Sequence, residues 1–216
     1  IPGTNPIRSK LRLLNPIQEK DLQRQIDAWL EAEVIEPSTS PWASALVPVK
    51  KKGSDKLRWA GDYRRLNDVT IKDAYPLANI ECNLHKLATA EVFSMLDSAG
   101  AFHTMPIREE DRDLTAFVTP FGHYRFSKLP FGLANAPAAY SRLVQIALDR
   151  LPRGFSLGFI DDIIIYSATV QEHVDHIRQV VRLHAAVGMK LNLNKCHLMR
   201  KEVEYLGHLV SRDGIQ

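Results

Sequence analysis

The sequence predicts an α+β fold. Three features carry that reading: capped segments with apolar residues at helical spacing, short apolar runs broken by Gly, Pro and Asp turns, and the alternation of the two along all 216 residues without an internal repeat. A hydrophobic content of 45% is enough to bury a real core. Only Cys82 and Cys196 are present, so a disulfide framework is not expected and a reducing, intracellular setting is favoured. No apolar run approaches the roughly 20 residues of a membrane span. The first residues lack the layout of a signal peptide, so no membrane partner is expected.

Residues 1–14 are basic and Pro-containing without a period, as in an extended arm. Asn15-Pro16-Ile17-Gln18 then supplies a cap, a proline at the first helical position and a capping-box Gln. The helix that follows carries Leu22, Ile26, Trp29 and Leu30 on one face, with Pro37 just beyond its end. Residues 45–63 read as two strands joined at Gly53-Ser54-Asp55, which places the cluster Lys50-Lys51-Lys52, Lys56 and Arg58 at a hairpin tip. A short helix is expected over 77–87, then a strand over 92–96 that delivers Asp97 at its end. A second hairpin runs through 115–118 and 124–126 around Pro120-Phe121-Gly122, and a helix follows over 138–151. Residues 158–166 are an apolar run with two aspartates in its middle. Thr169 with Glu172 opens a helix as a capping box, Val170, Val174, Ile177 and Val181 form its buried stripe, and Gly188 ends it. Short strands near 204–206 and 208–210 close the chain.

The aspartates carry the chemistry. Adjacent aspartates inside a regular strand would force one into the core, because neighbouring side chains point to opposite faces. If Phe159-Ile160 and Ile163-Ile164-Ile165 are paired strands, Asp161 and Asp162 sit at the hairpin tip and escape this; the bland alternative is an ordinary Asp-Asp turn. Asp97 also ends an apolar strand, and Ser98-Ala99-Gly100-Ala101 after it are small enough for close approach by a ligand. Three converging carboxylates repel unless a cation neutralises them, and hard oxygen ligands select Mg²⁺ or Mn²⁺. Two such ions would clamp the attacking and leaving oxygens of an in-line phosphoryl displacement. The histidines and acids of 173–197 (His173, Asp175, His176, His184, Cys196 and His197) lack a partnered pair at zinc spacing, and solvent-facing positions on an amphipathic helix account for them.

FIDD at 159–162, LPFGLANAP at 129–137, STSPWAS at 38–44, DYRRLN at 62–67 and YLGHLVS at 205–211 together resemble the reverse transcriptase of gypsy-type LTR retrotransposons, in order over nearly the whole chain. The resemblance implies a right-hand polymerase with an antiparallel palm sheet packed on helices. Residues 15–75 and 108–130 would form the fingers, and 76–107 and 131–216 the palm, ending at the primer grip. Thumb, connection and RNase H regions of a parent polyprotein would follow. By position, Asp97, Asp161 and Asp162 are implied as catalytic and metal-binding residues, Asp162 being the more peripheral. They would hold two Mg²⁺ ions, with Mn²⁺ as a substitute. Lys51, Arg58, Gly100, Ala101, Phe102 and Phe131 are implied to bind the dNTP, Phe102 excluding a 2′-hydroxyl. Arg64 is implied as a template contact and Leu206, Gly207 and His208 as the primer grip. The implied partners are an RNA or DNA template with its primer, and dNTPs; the implied location is the cytoplasm or a virus-like particle.

Two positions depart from the family pattern. Phe159 replaces the usual tyrosine before the aspartate pair, and Ser98 replaces an aliphatic residue; neither removes a metal ligand. An RNA-dependent RNA polymerase would share the paired aspartates, but Phe102 leaves no room for a ribose 2′-hydroxyl. The non-enzymatic rival is a domesticated or truncated inactive relative that only binds nucleic acid or a protein.

Overall fold

The computed structural model describes residues 3–50, 57–76, 80–88 and 90–215. The elements are, in chain order, α1 (Pro16–Glu31), β1 (Ile35–Pro37), β2 (Ser44–Lys50), β3 (Leu57–Gly61), α2 (Arg64–Val69), α3 (Ile80–Leu87), β4 (Val92–Ala99), α4 (Glu109–Arg112), β5 (Phe117–Thr119) and β6 (Gly122–Phe126). They continue with α5 (Ala136–Leu148), β7 (Ser156–Phe159), β8 (Asp162–Ser167), α6 (Val170–Ala186), β9 (Lys190–Leu191), β10 (His197–Arg200), β11 (Glu202–Tyr205), β12 (His208–Ser211) and β13 (Gly214–Ile215). The fold is α+β, as the alternation of patterns predicts. The chain divides into two compact units, one running to Asp73 and resuming over Phe102–Ala136, the other formed by Ala74–Ala101 and the chain from Pro137. Relative to the expected boundaries at 75, 107 and 130, residues 74–75 belong with the second unit and residues 102–107 and 131–136 with the first. The local bonds explain the latter: Pro106 bridges Lys128, the Leu129 N–H donates to Met105 O, and the Phe102 and Phe131 rings touch.

In the first unit α1 begins as the cap predicts. The Asn15 side chain accepts from Gln18 N–H at 2.8 Å and the Gln18 side chain accepts from Asn15 N–H at 3.2 Å. The helix lays Leu22, Ile26 and Trp29 on a sheet ordered β1-β6-β5-β2-β3, against Trp59, Phe117 and Phe126. The β2–β5 pair is parallel and the others antiparallel.

In the second unit an antiparallel sheet, β10-β4-β8-β7, carries β9 at the far end of β4. A separate sheet, β11-β12-β13, contributes Val203, Tyr205 and Val210 to a core shared with Phe93, Ile164 and Tyr166. α5 approaches β7 closely because Gly158 has no side chain; a Cβ there would lie 2.6 Å from Val144 Cγ1.

Two expectations are corrected here. β4 runs on to Ala99, so Asp97 lies inside the strand rather than at its end. The buried stripe of α6 is His173, Val180, Leu183 and His184, while Val170 and Val181 are exposed. His173 and His184 are therefore core residues, not solvent-facing ones; both His173 ring nitrogens and His184 Nδ1 find hydrogen-bond partners indoors, which offsets their burial, while His184 Nε2 has none among the described residues. Thr169 caps α6 by accepting from the Glu172 N–H. Among the described residues no helix is long and apolar enough to cross a membrane.

Candidate active site

The β7–β8 hairpin resolves the problem of the adjacent aspartates. Phe159 pairs with Asp162, leaving Ile160 and Asp161 as a two-residue turn, with Ile160 in the left-handed region at φ 53°. Such turns match the twist of the flanking strands. Asp162 thus opens β8, and Asp161 occupies the tip. The tip is tied to β4 by the Ser98 N–H, which donates to Asp161 O.

In the β4–β8 ladder Asp97 lies directly opposite Asp162. Directly opposed residues share a face, so two carboxylates stand side by side, an arrangement that destabilises a sheet unless it is compensated. Burial raises the pKa of Asp162, and the charges of Asp161 and then Asp97 raise it further, with Lys195 opposing. The Lys195 ammonium lies 2.7 Å from Asp97 Oδ2 and supplies part of the missing positive charge. Among the described residues no three His, Cys, Asp or Glu side chains are already closed around one point. The donor set nevertheless fits a hard divalent cation: oxygen ligands only, crowded negative charge, and one carboxylate made hard to ionise by its neighbours.

A groove of about 890 Å³ opens beside this pair, lined by Asp97, Asp162, Lys195, Arg200, Leu206 and Gly207 among others. Leu206 and Gly207 form the tight turn between β11 and β12, both at positive φ (53° and 84°), and His208 is the first residue of β12. Gly100 also has positive φ (61°), with open space where a Cβ would be, so conformation rather than crowding favours glycine there. Ala101 beside it is buried.

The first unit gathers a different set. The Arg58 guanidinium lies over the Phe131 ring at 4.7 Å, and Phe131 meets Phe102 edge to face at 4.9 Å. His103 touches Phe131 as well, and burial followed by the Arg58 charge lowers its pKa. Arg64 opens α2 and grips both oxygens of Asp62 at 2.8 Å each, which lowers the Asp62 pKa. Lys51 lies outside the described residues.

Lys195 was not singled out by the sequence reading, since a lone lysine in a polar stretch carries no motif. Nor was Tyr140 on α5. Burial raises the pKa of its phenol, the nearby Ser98 hydroxyl opposes this, and the charges of Asp161 and Asp97 raise it further.

The family profile described as "Reverse transcriptase (RNA-dependent DNA polymerase)" matches residues 49–210. The chain is 39% identical over 216 residues to the retrovirus-related Pol polyprotein from transposon 297 of Drosophila melanogaster, covering 98% of this chain and 20% of that polyprotein. It is 34% identical to the corresponding polyprotein from transposon gypsy of the same organism, over 89% of this chain and 19% of the relative. Among solved structures it resembles a foamy viral protease-reverse transcriptase in complex with RNA/DNA hybrid, with TM-score 0.89 and 26% identity over 99% of this chain and 28% of that one. The chain therefore spans about a fifth of the length of the transposon polyproteins it matches.

Proposed function

The chain belongs to the reverse transcriptase (RNA-dependent DNA polymerase) family, and from that premise we propose that it adds dNTPs to a primer 3′-hydroxyl on an RNA template, and on a DNA template as well, as part of a retrotransposon Pol polyprotein. The observation that carries this reading is the register that sets Asp97 opposite Asp162 with Asp161 at the adjoining turn. The first unit then serves as fingers and the second as palm. Thumb, connection and RNase H regions belong to the parent polyprotein, and the work is done in the cytoplasm or in virus-like particles.

Asp97 and Asp161, with Asp162 at the side, would hold two Mg²⁺ ions, or Mn²⁺ in their place. When bound, these ions supply the Lewis acidity that eases ionisation of the primer hydroxyl and offsets the triphosphate charge. The protein's own part is positioning and charge. Lys51 and Arg58 bind the incoming triphosphate, for which a lysine and a fork-shaped guanidinium are suited. Gly100 and Ala101 offer backbone N–H groups to the same phosphates. Phe102 lies beneath the sugar and excludes a 2′-hydroxyl, and Phe131 packs on the nucleotide. Arg64 touches the template, and Leu206, Gly207 and His208 hold the primer end. Base pairing supplies sequence specificity, so the protein need only check backbone and shape.

The test is primer extension on an RNA template with dNTPs and Mg²⁺, repeated with the downstream regions joined to the chain. Template-dependent, dNTP-dependent extension supports the reading. If both forms bind primer-template but extend nothing in Mg²⁺ or Mn²⁺, the domesticated, binding-only relative becomes the better account.

A further inference from the structure

A hydroxyl–imidazole chain crosses the second unit on the sheet face opposite the carboxylates. His173 is fully buried on α6, and its Nε2 lies 2.7 Å from Ser94 Oγ on β4. Its Nδ1 lies 2.8 Å from Ser167 Oγ at the end of β8. Ser167 Oγ is also 2.8 Å from His176 Nδ1, and the His176 ring stacks on Phe155 at 4.0 Å. Ser94 Oγ in turn accepts from the Met199 N–H of β10 at 3.0 Å.

The proton count of this chain closes without charge. Ser167 has one proton and faces two imidazole nitrogens, so it donates to one and accepts from the other. In either arrangement a neutral His173 gives its single N–H to one serine and accepts from the other. Burial favours that neutral ring, holding His173 down to about 4.

Its placement is specific to register. Ser94 is paired with Ile165, and Ser167 with Val92, so the two serines are diagonal neighbours on one face of the β4–β8 ladder. Diagonal neighbours stand roughly 7 Å apart, a span one imidazole fills with a hydrogen bond at each end. A slip of either strand would break one of these bonds. The third strand is tied in as well. β10 pairs with β4 through an irregularity between His197 and Arg200, where Met199 has φ 54°. Ser94 takes up the N–H of that residue, four positions after Lys195, which contacts Asp97.

We propose that His173, with Ser94 and Ser167, is a register lock that keeps Asp97 opposite Asp162, and so acts as a positioning residue for the cation-binding carboxylates. This rests on the reading of those carboxylates as cation ligands. Loss of the lock weakens divalent-ion binding in the way that loss of a ligand's supporting partner does, by about tenfold or more.

The experiment measures Mn²⁺ binding to the whole chain by electron paramagnetic resonance of the free ion, without nucleic acid, for the parent, His173→Phe, Ser94→Ala and Ser94→Thr. Melting curves and amide exchange of the β4 and β8 segments are recorded alongside. Expected are weakened Mn²⁺ binding and faster β4–β8 exchange in His173→Phe and Ser94→Ala, with both restored in Ser94→Thr, which keeps the hydroxyl. Should His173→Phe fail to fold, the two Ser94 variants decide. If Ser94→Ala melts lower yet binds Mn²⁺ as tightly as the parent, the chain is a stability device only and the proposal fails. Because the readout needs no polymerisation, a chain that binds Mn²⁺ through the lock but extends no primer, alone or with the downstream regions joined, would sink the polymerase reading and leave this one standing.

Discussion

Asp97 and Asp162 are each other's problem, and the protein tolerates the conflict where a cation would relieve it. The shift on Asp162 makes that testable. Its folded pKa lies above the ordinary carboxylate value, through burial and then the charges of Asp161 and Asp97. The charged form therefore destabilises the folded state, the penalty is fully present above that raised pKa, and it disappears as pH falls through it. Asp162→Asn should melt higher than the parent at neutral pH without divalent ions, with the difference closing in acid and on adding Mn²⁺ to the parent; a variant that melts lower at neutral pH would mean that the carboxylate is a net stabiliser. Asp161 lies in the turn, outside the ladder, so Asp161→Asn should fold normally. On the proposed reading it removes a charged metal ligand, and single-turnover extension should fall at least about a thousandfold, roughly 4 kcal/mol of barrier. Extension near the parent rate would take Asp161 out of the metal site.

At the scale of the element, α6 carries the acid sensitivity. His173 and His184 are both buried and both lowered by desolvation, and His184 Nδ1 is bonded to the Val180 carbonyl at 3.0 Å. A depressed histidine favours the folded state when neutral. Its contribution is complete above the unfolded value of about 6.5, and for His173 it is lost as pH falls toward about 4. Melting temperature should drop across that window, with at most about 1.4 kcal/mol per pH unit for each proton taken up on unfolding. His173→Asn combined with His184→Asn should flatten the slope; an unchanged slope would place the acid sensitivity elsewhere. The same helix marks the limit of what the sequence discloses. Asp97, Asp161 and Asp162 were legible because aspartates interrupting apolar runs are conspicuous. α1 was legible because its cap and stripe agree. On α6 the apolar template counted His173 and His184 as polar and chose a stripe containing Val170 and Val181, both exposed. A histidine declares its burial only through its partners, here serines on distant strands. β10 was missed for a related reason: all four of its residues are exposed, so no alternation marks it as a strand.

At the scale of the whole molecule the question is how the cations are spent. The net charge is only +3. Arg12 and Arg64 are bound to Asp62, Arg112 and Arg125 to Glu36 and Glu109, and Lys195 to Asp97. Side chains neutralised within the protein release few counterions when a duplex binds. Primer-template affinity should therefore be weak, with a shallow salt slope at roughly 0.9 per duplex phosphate contacted. If the chain is part of a Pol polyprotein, as proposed, joining that polyprotein's downstream regions should steepen it. Among the described residues Arg58 has the Phe131 ring as its neighbour rather than a carboxylate, which leaves its charge for an anionic ligand. If that ligand is the triphosphate, Arg58→Ala and Lys51→Ala should leave duplex affinity and its salt slope nearly unchanged, while raising the dNTP KM or slowing the chemical step by about tenfold or more. Binding titrations at several salt concentrations, run beside nucleotide titrations of the same variants, separate the two roles. Should both variants lose duplex affinity and keep the parent's dNTP dependence, these cations form a general nucleic-acid patch, and the nucleotide grip must be sought on other residues.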